Sequence, residues 1–158
     1  MSRMEMKFAV RTFFARNINY IKTFFFRFKG YDIHPSVIVE RNVNFDRLYQ
    51  KGIHIGKNTL IASRVTILSH DHCKRVNNQP WLADTRIGQN CLVGTGAIIM
   101  PGVKIGDEVI VAAGAVVTKE VPANCIVAGN PARIVRTNIR MNNKAELINW
   151  NINEGWII

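Results

Sequence analysis

The sequence predicts an all-β core: a parallel β-helix of about four to five short triangular coils, interrupted by one long loop. Three observations support this fold class. Aliphatic or Phe side chains recur at every sixth position, Gly often follows the recurring residue, and small or β-branched residues stand four positions after it. A period of six fits neither a helix nor a simple alternating strand, but it fits a short strand followed by a tight turn.

The repeat runs in three stretches. The recurring positions are Ile33, Val39 and Phe45, then Ile55, Ile61 and Ile67, and finally Ile87, Val93, Ile99, Ile105, Val111 and Val117. Four extra residues separate the first stretch from the second, and fourteen separate the second from the third. Since three units close one triangular coil, we expect each recurring side chain to point into the prism and to pack on its counterpart in the next coil.

The repeat divides the chain into three parts. Residues 31–136 form the predicted β-helix, residues 1–30 a basic amphipathic helix, and residues 137–158 a helical or irregular tail. The first thirty residues carry a net +6 of the chain's +10 and seven of its eight Phe. Apolar residues there follow helical spacing, with the basic residues mostly on the other side. Such a helix, over residues 1–29, either binds an anionic membrane surface or packs on its own oligomer.

Composition excludes several classes of protein. No apolar run is long enough to span a membrane, and no cleavable signal layout is present at the N-terminus. The three cysteines are widely spaced and give no disulfide framework, which favours a cytoplasmic protein, working at the inner face of the membrane if the basic helix binds lipid. The basic residues lie outside any recognisable nucleic-acid docking module, so no nucleic-acid partner is expected.

The second half of the repeat carries a family resemblance. The stretch from Ile87 to Arg136, IGQNCLVGTGAIIMPGVKIGDEVIVAAGAVVTKEVPANCIVAGNPARIVR, resembles hexapeptide-repeat acyltransferases, especially the galactoside/maltose type and bacterial polysaccharide O-acetyltransferases. The likeness extends over residues 33–136. It implies a left-handed β-helix, a homotrimer with sites between subunits, acetyl-CoA as co-substrate, a carbohydrate acceptor and no metal.

The fourteen-residue interruption is the predicted location of the catalytic base. It begins with LSHDHCKR (Leu68–Arg75), and acetyl transfer to a hydroxyl needs a general base such as histidine. The resemblance, aligned without gaps over Val65–His72, places His72 on the family's catalytic position, and His70 is the second candidate if the loop is offset. Trp81 is expected to anchor the loop and to border the substrate. The histidine pair supplies only two metal ligands, so we expect no metal site here.

The resemblance also assigns the donor and acceptor residues. Thr95, Ala112 and Ala113 would line the pantetheine channel of acetyl-CoA, and Lys119, Arg133 and Arg136 would bind its phosphates. Asn44 either orients the acceptor and the oxyanion or caps a corner of the coil. Arg47, Gln50 and Lys51, in the four-residue interruption, are expected to border the acceptor pocket.

The predicted function is an acetyl-CoA-dependent O-acetyltransferase that modifies a sugar hydroxyl in surface polysaccharide or glycolipid biosynthesis. Histidine general-base catalysis would take place in a ternary complex. Two alternatives remain at this point: a non-catalytic trimeric scaffold and a γ-type zinc carbonic anhydrase.

Overall fold

The computed structural model describes residues 19–150, which form three sheets around one apolar core. Sheet A contains β1 (Asp32–Ile33), β4 (Ile53–Ile55), β9 (Thr85–Ile87) and β12 (Lys104–Ile105). Sheet B contains β2 (Ile38–Val39), β5 (Leu60–Ile61), β10 (Leu92–Val93), β13 (Ile110–Val111), β15 (Cys125–Gly129) and β16 (Ala132–Thr137). Sheet C contains β3 (Asn44–Phe45), β6 (Thr66–Ile67), β11 (Ile98–Ile99) and β14 (Val116–Val117). Neighbouring strands are parallel except β15 and β16, which form an antiparallel hairpin.

The six-residue repeat is confirmed by the strand register. The recurring residues pair with one another in three columns, one for each sheet: Ile33, Ile55, Ile87 and Ile105 in sheet A; Val39, Ile61, Val93 and Val111 in sheet B; Phe45, Ile67, Ile99 and Val117 in sheet C. All of them are buried in one cluster. Burial of each such side chain contributes about 1.5–3 kcal/mol, so the columns are the main source of stability.

Both interruptions of the repeat lie at the corner between sheets C and A. The shorter one follows β3 and contains a turn of 3-10 helix, Gln50–Gly52. The longer one is an antiparallel hairpin of β7 (His70–Val76) and β8 (Gln79–Leu82) rather than an irregular loop. Asn77 and Asn78, at its tip, have positive φ values of 50° and 62°, a conformation that Asn tolerates better than most residues.

A helix, α1 (residues 19–28), covers the open end of the prism. The side chain of Asn19 bonds the free edge of β2, donating to the carbonyl of Val37 at 2.6 Å and accepting from the N–H of Val39 at 2.9 Å. Phe26 packs edge-on against Phe45, with ring centroids 4.9 Å apart. The remaining part of the predicted N-terminal helix, residues 1–18, lies outside the described residues. Within residues 19–150, no helix is both long and apolar enough to cross a membrane.

The tail crosses the outer face of sheet B, and of the two forms predicted for it, helical or irregular, residues 138–150 take the irregular one. There the chain forms turns and one isolated bridge between Met141 and Leu147. Asn142 accepts from the N–H groups of Lys144 and Glu146 through its side chain, which favours a turn over a helix. Ile139, Met141 and Ala145 bury the outward apolar side chains of sheet B, which are Leu60, Leu92, Ile110 and Ile126. Residues 151–158 of the predicted tail lie outside the described residues.

Candidate active site

The candidate site is centred on a histidine held by a buried carboxylate. His70 begins β7, and its Nδ1 is hydrogen-bonded to Oδ2 of Asp46. Asp46 follows β3 on the adjacent coil, and its side chain has 0% exposure. The His70 side chain is 20% exposed. One ring nitrogen is thus fixed from inside the protein, and the ring itself reaches solvent.

The backbone holds the Asp46 carboxylate in place from two sides. Oδ1 accepts from the N–H of Leu48 at 2.8 Å, and Oδ2 accepts from the N–H groups of Ser69 at 2.8 Å and His70 at 3.0 Å. Burial by itself raises the pKa of Asp46, but these N–H groups and the His70 ring outweigh burial and hold the pKa below its ordinary value. Asp46 is therefore ionised at neutral pH.

The charge on Asp46 determines the tautomer of His70. An ionised carboxylate can only accept hydrogen bonds, so the hydrogen between the two side chains belongs to Nδ1 of the imidazole. In the neutral ring, Nε2 then carries the lone pair. His70 is arranged to accept a proton at Nε2 while Asp46 balances the positive charge that results.

His72, the first candidate from the sequence, lies next to His70 but is placed differently. Its side chain is exposed, and its ring nitrogens form no hydrogen bond within the described part of the chain. Its ring packs edge-on against that of His70, with centroids 4.7 Å apart. Geometry therefore favours His70 as the base, with His72 at the rim.

The hairpin that carries both histidines is anchored at its base. Thr85 is buried, donates to the carbonyl of Leu68 at 2.6 Å and accepts from the N–H of Gly102 at 3.0 Å. The ring of Trp81 lies over Gly102, where an added Cβ would come within 3.1 Å of it. Nζ of Lys74 lies 4.6 Å from the centre of the same ring. Trp81 thus anchors the hairpin, as the sequence predicted, and its contact with substrate stays a prediction.

The predicted acceptor residues line a pocket of about 460 Å³ next to Asp46. Asn44 projects from the outer face of β3, and Arg47 and Gln50 come from the four-residue interruption. Lys51, predicted with them, is not among the lining residues. Lys29, which follows α1, completes the polar part of the wall. Asp46 itself is not a wall residue, but its chain neighbours Phe45 and Arg47 are, so the pocket lies beside the loop that carries Asp46.

The predicted pantetheine residues lie on a different corner from His70 within one chain. Thr95, Ala112 and Ala113 occupy the corner between sheets B and C, where the N–H of Gly114 donates to the carbonyl of Thr95 at 2.9 Å. Lys119 is exposed on the corner between sheets C and A, two residues after β14. Arg133 and Arg136 lie on β16, at the end of sheet B. The width of sheet C separates the predicted pantetheine channel from the histidine.

Sequence reasoning missed Asp46, although a signal was present. The corner position after the recurring residue of sheet C is occupied by Asp46, Leu68, Met100 and Thr118 in successive coils. A carboxylate in this otherwise neutral column indicates a special role, but its partner His70 lies 24 residues away and cannot be identified without the coil register.

No recognisable metal site is found among the described residues. Within residues 19–150 no three His, Cys, Asp or Glu side chains are grouped so that they could hold a metal ion. His54, on the outer face of sheet A, bonds Oδ2 of Asp32 at 2.8 Å.

Cys91 is buried, and burial raises the pKa of its thiol to about 12. Cys73 is the exposed cysteine of the three.

Comparisons with known proteins agree with this architecture. Residues 84–119 match the family described as Bacterial transferase hexapeptide (six repeats). The chain is 36% identical over 111 residues to the galactoside O-acetyltransferase of Escherichia coli (strain K12), covering 68% of this chain and 55% of that enzyme. It thus spans about half the length of this relative.

Solved structures extend the match over the fold. A maltose O-acetyltransferase from Clostridium difficile 630 superposes with a TM-score of 0.55 at 30% identity, covering 68% of this chain and 69% of that chain. A galactoside acetyltransferase in complex with coenzyme A superposes with a TM-score of 0.51 at 31% identity, covering 65% of each chain. Because the likeness in sequence and fold extends over two thirds of a solved relative and includes the matched repeats, the chain belongs to the hexapeptide-repeat transferase family.

Proposed function

We propose that the protein is an acetyl-CoA-dependent O-acetyltransferase that modifies a sugar hydroxyl, with His70 as the general base. The observation that carries this proposal is the buried Asp46 carboxylate, which orients His70 with Nε2 available to a substrate. Relatives named galactoside and maltose O-acetyltransferase support the reaction class, and a relative solved with coenzyme A supports the donor.

The reaction proceeds through direct transfer in a ternary complex. The acceptor hydroxyl gives its proton to Nε2 of His70 as its oxygen attacks the thioester carbonyl. The resulting tetrahedral intermediate collapses, the C–S bond breaks, and the CoA sulfur takes the proton back from the imidazolium. Asp46 stabilises the imidazolium in between, and a positioned base of this kind contributes about 10²–10⁴ in rate.

The remaining predicted residues serve binding. Thr95, Ala112 and Ala113 line the pantetheine arm, since their small side chains leave room for it at the corner between sheets B and C. Lys119, Arg133 and Arg136 bind the phosphates of CoA. Asn44 orients the acceptor or the oxyanion, and Trp81 holds the hairpin at the edge of the acceptor site.

A homotrimer would bring the predicted pantetheine residues of one subunit next to His70 of another. Within one chain, sheet C separates the corner with Thr95 from the corner with His70. If the donor corner of one subunit faces the histidine hairpin of its neighbour, each site is completed between two copies. The number of sites then equals the number of subunits.

The exposed face of α1 suits an anionic membrane. Tyr20, Ile21, Phe24, Phe25 and Phe28 all point away from the prism, and Phe28 is 83% exposed. Lys22, Arg27 and Lys29 flank this face, and no acidic residue lies between positions 19 and 31. Such a surface combines apolar burial with attraction to anionic headgroups. An enzyme that modifies polysaccharide or glycolipid precursors would gain from this location at the inner face of the membrane.

Binding of CoA tests the proposed function against its alternatives. A ligand that binds only the folded state stabilises it by about 2.7 kcal/mol at 100 times its Kd, which thermal unfolding detects. A non-catalytic scaffold would show no shift with CoA. Stoichiometric zinc in the purified protein, without a CoA effect, would instead favour a γ-type carbonic anhydrase.

A further inference from the structure

The pocket between α1 and the first coil is lined by two cationic side chains. Lys29 and Arg47 line it from two different elements, and no carboxylate is among its lining residues. Asp46, Asp32 and Glu40 are hydrogen-bonded to His70, His54 and Ser63, and none of the three carboxylates forms an ion pair with Lys29 or Arg47. The two cations therefore face the pocket without a counter-ion from the described part of the chain.

The chain turns directly after α1, where the N–H of Gly30 donates to the carbonyl of Arg27 and the N–H of Tyr31 donates to the carbonyl of Phe26. These two carbonyl groups are therefore already hydrogen-bonded within the backbone. Asn44 and Gln50 add side-chain amides to the wall. The pocket thus offers two cations and two amide groups that can donate hydrogen bonds, a set that fits a group with several anionic oxygens.

This pocket borders the backbone of Asp46, the residue that orients the catalytic histidine. Arg47 and Phe45 flank Asp46 in the chain, and the hydroxyl of Tyr31, another wall residue, donates to the Asp46 carbonyl at 2.8 Å. A molecule that fills the pocket therefore lies next to the residue that orients His70. The aromatic face of α1 ends beside the same pocket, since Phe28 precedes Lys29.

We infer that the pocket binds a phosphate or diphosphate group attached to the acceptor sugar, with Lys29 and Arg47 as its ligands. The inference rests on the proposed function, and it makes the substrate a phosphorylated sugar rather than a neutral one. The phosphate could come from a soluble nucleotide sugar or from a lipid-linked sugar diphosphate. In the second case the lipid would lie along the Phe face of α1.

Pyrophosphate is the probe for this subsite. We would titrate it by calorimetry into full-length protein saturated with CoA, so that the CoA phosphate site is already filled. The expected result is saturable binding that the double substitution Lys29→Gln/Arg47→Gln weakens by about 10- to 100-fold, as expected for lost charge-assisted hydrogen bonds. Lys57→Gln, an exposed lysine on the corner between sheets A and B, is the matched control and should bind as the wild type does.

Two further ligands identify the source of the phosphate. Tighter binding of farnesyl diphosphate than of pyrophosphate, reversed by Phe28→Ser, supports a lipid-linked acceptor. Tighter binding of UDP supports a soluble one, and either result supports the subsite. The inference is overturned if pyrophosphate does not bind at millimolar concentration, or if the double variant and the control bind equally. If the proposed function is wrong, the result is different: CoA itself will not raise the unfolding temperature of the wild-type protein.

Discussion

Nδ1 of His70 bonds the carboxylate of Asp46, a residue 24 positions earlier in the chain and on the preceding coil. Sheet C creates this relationship, because β3 and β6 pair in register and the chain leaves both strands at the same corner. Apart from His70, the N–H of Leu48 on its own loop and the N–H of Ser69 also donate to the Asp46 carboxylate. The hairpin therefore places a histidine on a carboxylate that the backbone holds as well.

Asp46→Asn should abolish most activity without unfolding the protein. An amide has no negative charge to stabilise the imidazolium and does not impose one tautomer on His70, so kcat should fall by about 10²–10⁴-fold. CoA affinity should change little, since the donor residues lie elsewhere. Steady-state kinetics and CoA binding measure the two effects. Asp107→Asn is the control, because Asp107 also accepts a backbone N–H, from Gln89 at 2.9 Å, but on another corner.

The same substitution should change how stability depends on pH. A carboxyl whose pKa is lowered by folding stabilises the protein above its unfolded pKa, about 3.9, and this contribution is lost as pH falls through the lower folded value. The wild type should therefore lose stability below about pH 4 more steeply than Asp46→Asn does. Urea unfolding between neutral and acidic pH measures this. Parallel curves for the two proteins would contradict the ionised, buried carboxylate.

Gly102 and Gly96 form a matched pair that tests the anchor of the hairpin. Both have positive φ, 79° and 71°, so Ala costs about 1–2 kcal/mol at either position. An added Cβ has open space at Gly96 but meets the Trp81 ring at 3.1 Å and Ala83 at 3.2 Å at Gly102. Gly102→Ala should therefore be the more destabilising and should alter tryptophan fluorescence. Equal losses of stability with unchanged fluorescence would mean that Trp81 does not rest on Gly102.

Removal of two aromatic side chains from the exposed face of α1 should weaken membrane binding. Phe24→Ser/Phe28→Ser should lower sedimentation with anionic vesicles at low salt, and high salt should weaken wild-type binding because ions screen the attraction. Phe26 still packs on Phe45 in this variant, so the fold should persist. Ile148→Ser/Trp150→Ser, which removes exposed apolar side chains from the tail, is the control. If the α1 variant still sediments but loses its oligomeric state, the face contacts another subunit instead.

Local pattern was sufficient to predict the core but not the pairing at the site. The twelve recurring residues fell into three columns because the inward position of each coil repeats in the sequence itself. The tail could not be predicted in this way: its apolar residues pack on Leu60, Leu92 and Ile110, which lie far away in the chain. The sequence pattern could not distinguish His70 from His72 as the base for the same reason. Both follow the same strand, and the difference lies in Asp46, which sequence spacing does not connect to either.

The central claim is that His70, not His72, takes the proton from the acceptor. The most direct measurement is the kcat of His70→Ala and of His72→Ala with the same acceptor, alongside CoA affinity for each. We predict that His70→Ala lowers kcat by at least about 10²-fold and leaves CoA affinity nearly unchanged, whereas His72→Ala costs less than about 10-fold. A larger loss in His72→Ala, or equally mild losses in both variants, would contradict the assignment of His70 as the base.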